Sequence, residues 1–491
     1  MLAMPETTMV DVADYQRRAE AFWQAEVTAQ YQIQAGLPVE TDLATVYEEN
    51  ADLFAAEVAR ELIELSRTCV NDNYRSLAAF ATMRYLRQAS LPYDEVFGEQ
   101  LGTAVLPWDG DSLPFFATTG LLSIEADPTR RRLLYAGRSE LVAGHNRLRQ
   151  ERWQQANAQA GFLGFASYHA LCDELHGLHL ENLELMAQTF LRETAVPYFR
   201  ALSHWSQIIL GTSQPDAADM FYLLRGSQFD GLFPAEKLRT AVYETTRRLG
   251  FSLENTTGLE LDLDPREGKA LRPFCAFVRV PDEIKLVVNP VGGHQDYKAV
   301  FHELGHALHG RHIPAHLPFA TRYLGDDSVG EAFAFLFEQF PANPVWLREM
   351  LDAADYGPYV EYVRFMRLLF ARRCAAKVLY ENQLHMGLSD PACFYTAILQ
   401  EHLGLNISPA YYLLDVDDGF YNAQYFRAWM LAAQIAAQLE LQSGKEWLLS
   451  PATGAFLQSL WQKGQPAAET ISVRIGERRL NPEALIRSFV A

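Results

Sequence analysis

Residues 297–310 read "YKAVFHELGHALHG", and the rest of the chain is best approached from this stretch. Its apolar residues recur with helical spacing, so it reads as a buried helix, yet it sets two of only 13 histidines four residues apart. Side chains at i and i+4 lie one above the other on a helix, so His302 and His306 project from one face and can grip a single ion. Glu303 stands one residue on, rotated roughly 100°. From there it reaches a water beside the ion without competing as a ligand, the arrangement of a zinc hydrolase. The pattern also arises by chance, so a third ligand is the deciding feature. No histidine follows in the extended metzincin arrangement. Glu331, 29 residues after His302 in "SVGEAFAFLFEQF", is the candidate. A carboxylate among Phe333, Phe335, Leu336 and Phe337 is costly to bury unless paired or metal-bound. Glu338, two turns further along that face, either orients a ligand imidazole or ends the helix in solvent.

Around this motif the chain reads mainly as helix. "ADLFAAEVARELIELSRTCV" (51–70) and "LELMAQTFLRETAVPYFRALSHW" (183–205) place apolar residues three and four apart. Loops are expected near 106–120, 211–220 and 254–273, where Gly, Pro and Asp gather. "FCAFVRVPDEIKLVVNP" (274–290) reads as a hairpin or a pair of edge strands, and Gly292 and Gly293 as a turn into the histidine helix. Such an edge beside a metal helix is a place to hold a peptide by main-chain hydrogen bonds. The expectation is a mainly α fold of two helical lobes, 1–210 and 211–491, interlocked around a deep channel, with a small sheet beside the zinc helix.

The 491 residues suffice for a large core. With 42 Lys and Arg against 61 Asp and Glu, the formal charge of −19 disfavours nucleic acid and anionic membrane as partners. Cys69, Cys172, Cys275, Cys374 and Cys393 show no paired spacing, which suits a reducing compartment. The first residues, "MLAMPETTMVDVADYQ", lack the features of a signal peptide, and no run approaches the roughly 18 apolar residues of a membrane span. A cytoplasmic location is expected, and the sequon-like Asn255 and Asn406 carry little weight there. Oligomeric state is not legible.

The His302-Glu303-x-x-His306 motif with Glu331 at this spacing resembles the thimet oligopeptidase and oligoendopeptidase F family of zinc peptidases. "FCAFVRVP" and the glycine pair before the motif, "HALH" at its end and Glu338 after Glu331 support the resemblance. So does "GFYNAQYFRAW" (419–429), similar to that family's glycine and tyrosine loop. The resemblance covers roughly 270–430. It implies one zinc ion held by His302, His306 and Glu331, with Glu303 as general base. It implies that Tyr425 donates to the oxyanion and that Tyr421 touches substrate, although either tyrosine alone also suits ordinary packing. Short peptides would be the substrates, cut internally. Departures stand at Val416, Gly419 and Ala428, where the family carries a histidine, a glycine pair and a further tyrosine. Arg427 invites pairing with a substrate carboxylate, a structural salt bridge being the commoner use of such a residue. Two other activities stay open: a carboxypeptidase of similar helical architecture, and a silent zinc protein that binds peptides. Cys172, His176 and His179 look ligand-like but lack a second cluster, and His309 and His312 suit outer hydrogen bonds or a charge at the helix end.

Overall fold

The structure, a computed structural model, describes residues 10–69, 71–253 and 257–490. The leading stretch 1–9 and Asn255 lie outside it. The first described helix, Val12–Gln34, starts where the Asp11 carboxylate accepts from the Ala13 and Asp14 amides, and buries Tyr15, Ala19, Phe22, Glu26 and Ala29 at alternating four- and three-residue steps. Helices dominate from there on, as the periodicity predicts.

The apolar run 183–205 is two helices, Leu180–Glu193 and Ala195–Leu210, meeting at Thr194. Pro197 is the cause: it has no N–H to give, and its ring excludes the carbonyl four residues back. Segment 106–120 is not a loop. It forms an antiparallel hairpin, Val105–Trp108 with Asp111–Pro114, and then the helix Ala117–Ile124. Asp109 and Gly110 both have positive φ, 53° and 87°, as a two-residue Asp-Gly hairpin turn requires. Segment 254–273 likewise contains a strand, Leu259–Asp262.

That strand completes a three-stranded sheet. Glu283–Val287 is central, with Leu259–Asp262 parallel on one side and Phe274–Arg279 antiparallel on the other. The 274–290 hairpin is therefore as expected, and Phe274–Arg279 is an edge. It is a partly covered edge, because Trp23 Nε1 donates to the Phe277 carbonyl at 2.9 Å. The sheet backs onto the histidine helix, His294–Arg311: a side chain at Gly310 would strike the Phe277 ring.

Residues on either side of position 210 share one buried apolar cluster. Polar ties cross the same line: Arg372 donates to Leu191 O and Thr194 Oγ1, Tyr198 to Leu403 O, and Arg322 pairs with Glu20.

Candidate metal centre

The histidine helix is launched by a tight turn. Gly292 and Gly293 have φ of 98° and 93°, and a Cβ on Gly293 would land on the Asp230 carboxylate. Asp296 in the first helical turn accepts from the Val291 and Gly292 amides, fixing the entry. The helix then packs against Asp327–Phe337 at Gly305, where a Cβ would lie 2.5 Å from Phe333 O and 2.7 Å from Ala334 Cα. Only a glycine permits that approach, and the approach brings Glu331 to the histidines.

Glu331 Oε2 lies 3.5 Å from His302 Nε2 and 3.6 Å from His306 Nε2, and Glu331 is 6 % exposed. Among the described residues these three form a group whose ligand atoms all fall within 4.8 Å of one another. Tetrahedral zinc at about 2.0–2.1 Å from its ligands sets them about 3.3–3.5 Å apart. The donor set of two imidazoles and a carboxylate therefore fits zinc in type and spacing. A further observation agrees: Glu331 Oε2 is buried with no hydrogen-bond partner, a costly state for a carboxylate oxygen without a cation.

The surroundings orient these groups. His302 Nδ1 meets Glu338 Oε2 at 3.0 Å, and Lys298 Nζ holds the other Glu338 oxygen at 3.4 Å. Of the two places open to Glu338, it takes the one beside the imidazole. Burial works against a charged His302 ring, but the Glu331 and Glu338 carboxylates outweigh it and raise the ring to about 10. Burial takes His306 the other way, to about 4. Glu303 is 9 % exposed, and burial raises its carboxyl to about 7, with the charges of His302 and the exposed Arg272 pulling down.

The tyrosines arrive from the helix Tyr421–Ser443. Gly419 and Phe420 precede it in left-handed conformation, φ 64° and 54°, with the Gly419 amide donating to Tyr168 Oη. Tyr421 Oη donates to Glu331 Oε1 at 2.7 Å, so its hydroxyl is engaged by the carboxylate. Tyr425 packs against it, ring centroids 4.8 Å apart, and against Phe335 at 5.7 Å. Val416 and Ala428 are buried in the core.

Arg427 is not free for substrate. It is 2 % exposed, and its Nη2 lies 2.6 Å from Asp326 and 3.0 Å from Glu469, with Nη1 on the Gly177 and Leu178 carbonyls. Its polar capacity is spent within the fold, and the substrate-carboxylate expectation is withdrawn. His309 donates from Nε2 to Gly464 O, 3.0 Å away, and His312 from Nδ1 to Leu308 O, 2.7 Å away, both as internal ties. Cys172 is buried, His176 half-buried and His179 exposed, and none of them joins a metal group among the described residues. Sequence reasoning did not single out Lys298, whose long side chain reaches Glu338 from the same helix as the histidines, or Arg367, which stands over Trp429.

The fold and the site together describe a mainly helical protein with a two-histidine, one-glutamate centre beside a small sheet. No family model matches the sequence, and no curated protein matches it. The fold is similar to that of a solved structure described as a "putative oligoendopeptidase F from Bacillus anthracis str. Ames", with TM-score 0.61, 14 % identity, and coverage of 98 % of this chain and 82 % of that one. At that identity the likeness is one of fold.

Proposed function

We propose that this protein is a zinc-dependent oligopeptidase that hydrolyses internal bonds of short, unfolded peptides. One observation carries the reading: an orphaned, buried Glu331 oxygen faces two imidazole nitrogens, with a raised-pKa carboxyl, Glu303, on the neighbouring position of the same helix. The fold shared with a protein described as an oligoendopeptidase supports it. His302, His306 and Glu331 would hold one zinc ion, which when bound supplies positive charge at the scissile carbonyl and acidifies the attacking water. Glu303 takes the proton of that water and returns it to the leaving amine; a carboxyl poised near neutrality suits both transfers. Tyr425, its phenol held un-ionised because burial raises its pKa, donates to the oxyanion as it develops. Tyr421 keeps Glu331 in place through its hydrogen bond and borders the substrate.

Peptides are then the partners, and nucleic acid and membrane are not. No helix among the described residues is long and apolar enough to cross a membrane, and the cytoplasm is the proposed place of action. The test is cleavage of a mixed peptide library by the zinc-loaded protein and its Glu303→Gln variant, with products read by mass spectrometry. The variant keeps its zinc and loses cleavage by a factor of about 10² or more. Trimming confined to C-terminal residues would instead assign a carboxypeptidase. Zinc binding without cleavage by either protein would leave a binding protein.

A further inference from the structure

With Arg427 committed to Asp326 and Glu469, another arginine has no such commitment. Arg367, on the helix Gly357–His385, places its guanidinium carbon 5.5 Å from the Trp429 ring centroid. Among the described residues, no carboxylate lies within ion-pair distance of it. The carboxylate whose charge it feels is Glu338, and both Glu338 oxygens already serve His302 and Lys298. Burial pulls the Arg367 pKa down to about 10, Glu338 acting against the fall. Arg367 is half-buried and lines open space, so its guanidinium can still meet an incoming anion.

Arg367 borders two cavities. One lies beside Glu338; the other, of about 660 Å³, lies beyond Trp429. Tyr425, Trp429, Ala433 and Ala436 succeed one another at helical spacing on one helix, and the two alanines lie in the wall of the larger cavity. Their small side chains leave the groove open. Arg364, Arg367, Lys445 and Arg487 line it together with Glu440, Arg487 also pairing with Glu483 at 3.8 Å. In a chain of net charge −19 that concentration of cations runs against the average.

We propose that this groove receives a substrate carboxylate, with Arg367 as its principal partner, so that the preferred substrates are peptides carrying a negative charge on the Trp429 side of the cleaved bond. The inference rests on the peptidase reading of the centre. One helical turn from Tyr425 to Trp429 advances about 6 Å and an extended peptide about 3.3 Å per residue, which puts the charge about two residues from that bond. The carboxylate is either the peptide's C-terminus or an Asp or Glu side chain, and both present the planar pair of oxygens that a guanidinium binds.

The experiment uses four synthetic peptides of one core sequence: C-terminus free or amidated, and Glu or Gln at the position two residues beyond the bond. Calorimetry on the full-length, zinc-loaded Glu303→Gln protein reads binding apart from cleavage. The charged member of one pair binds about tenfold tighter, and the pair that shows this identifies the source of the carboxylate. In Glu303→Gln/Arg367→Gln the preference falls below about threefold, and in Glu303→Gln/Arg367→Lys part of it returns. If the Arg367→Gln change unfolds the chain, Lys445→Gln with Arg487→Gln at the rim lowers the preference about two- to threefold. Equal binding of all four peptides, or a preference undiminished without Arg367, overturns the proposal. Cleavage of all four at equal rates by the parent protein would uphold the peptidase reading and sink this one. Carboxylate-selective binding with no cleavage would do the reverse.

Discussion

Two hydrogen bonds to the proposed ligand residues would separate holding a metal from using it. Glu338 fixes the His302 ring through Nδ1, so Glu338→Gln weakens zinc affinity by about 10–100-fold, read by competition with a chelator. Tyr421 and Tyr425, neighbours on one helical turn, diverge in the same assay. Tyr421→Phe strips the donor from Glu331 Oε1 and lowers zinc affinity together with activity. Tyr425→Phe leaves the metal in place and lowers kcat by about 10²-fold with KM little changed, as expected when an oxyanion donor is lost. The His302, His306 and Glu331 cluster was legible because histidine pairs at i and i+4 and a carboxylate in an apolar run are local signals. Lys298 and Arg367 were not, since a lone cation on a helix announces nothing until its long-range partner is known.

Between elements, the decisive contacts are a close approach and a charge clamp. Gly305 lets the histidine helix settle on Asp327–Phe337, and Arg427 ties the start of the latter, through Asp326, to the tyrosine helix and to Glu469. Arg427→Met leaves Asp326, 7 % exposed at its side chain, without its cation and destabilises the fold by about 3–5 kcal/mol, measured by denaturant titration. The hairpin at 274–290 was readable from its β-branched runs, and so were the helices from their period. The hairpin at 105–114 went unread although Asp109-Gly110 is a strong turn signal, because Pro107 and Pro114 within its short strands argue for a loop. Leu259–Asp262 was hidden for a different reason: it pairs in parallel with a strand some 20 residues away, and only four residues long it leaves no period to detect.

Across the whole molecule, the long helix Gly357–His385 joins the early helices to the segment that leads into the tyrosines. Lys377 on it reaches Asp417 at 2.7 Å, with Asp415 and Glu381 each at 3.5 Å. Glu381 is fully buried, its two oxygens make no hydrogen bond, and burial raises its pKa to about 8 from the ordinary 4.5. The folded chain therefore keeps a proton between about pH 4.5 and 8 that the unfolded chain has released. Stability is complete below that window and falls as pH rises through it. The Glu381→Gln protein lacks this component, so its unfolding free energy changes less between pH 5 and 8, by on the order of 1–3 kcal/mol in thermal or urea melts. None of this network was visible in the sequence, where its members lie up to 40 residues apart and read as ordinary surface charges. The stacking of Trp429 on Phe335, centroids 4.3 Å apart, has an optical consequence. Phe335 neighbours His302 and Tyr425, and Arg367 caps the indole, so on the proposed function this one of the eight tryptophans would sense both metal and peptide. Its emission is a built-in gauge of occupancy, available without any label.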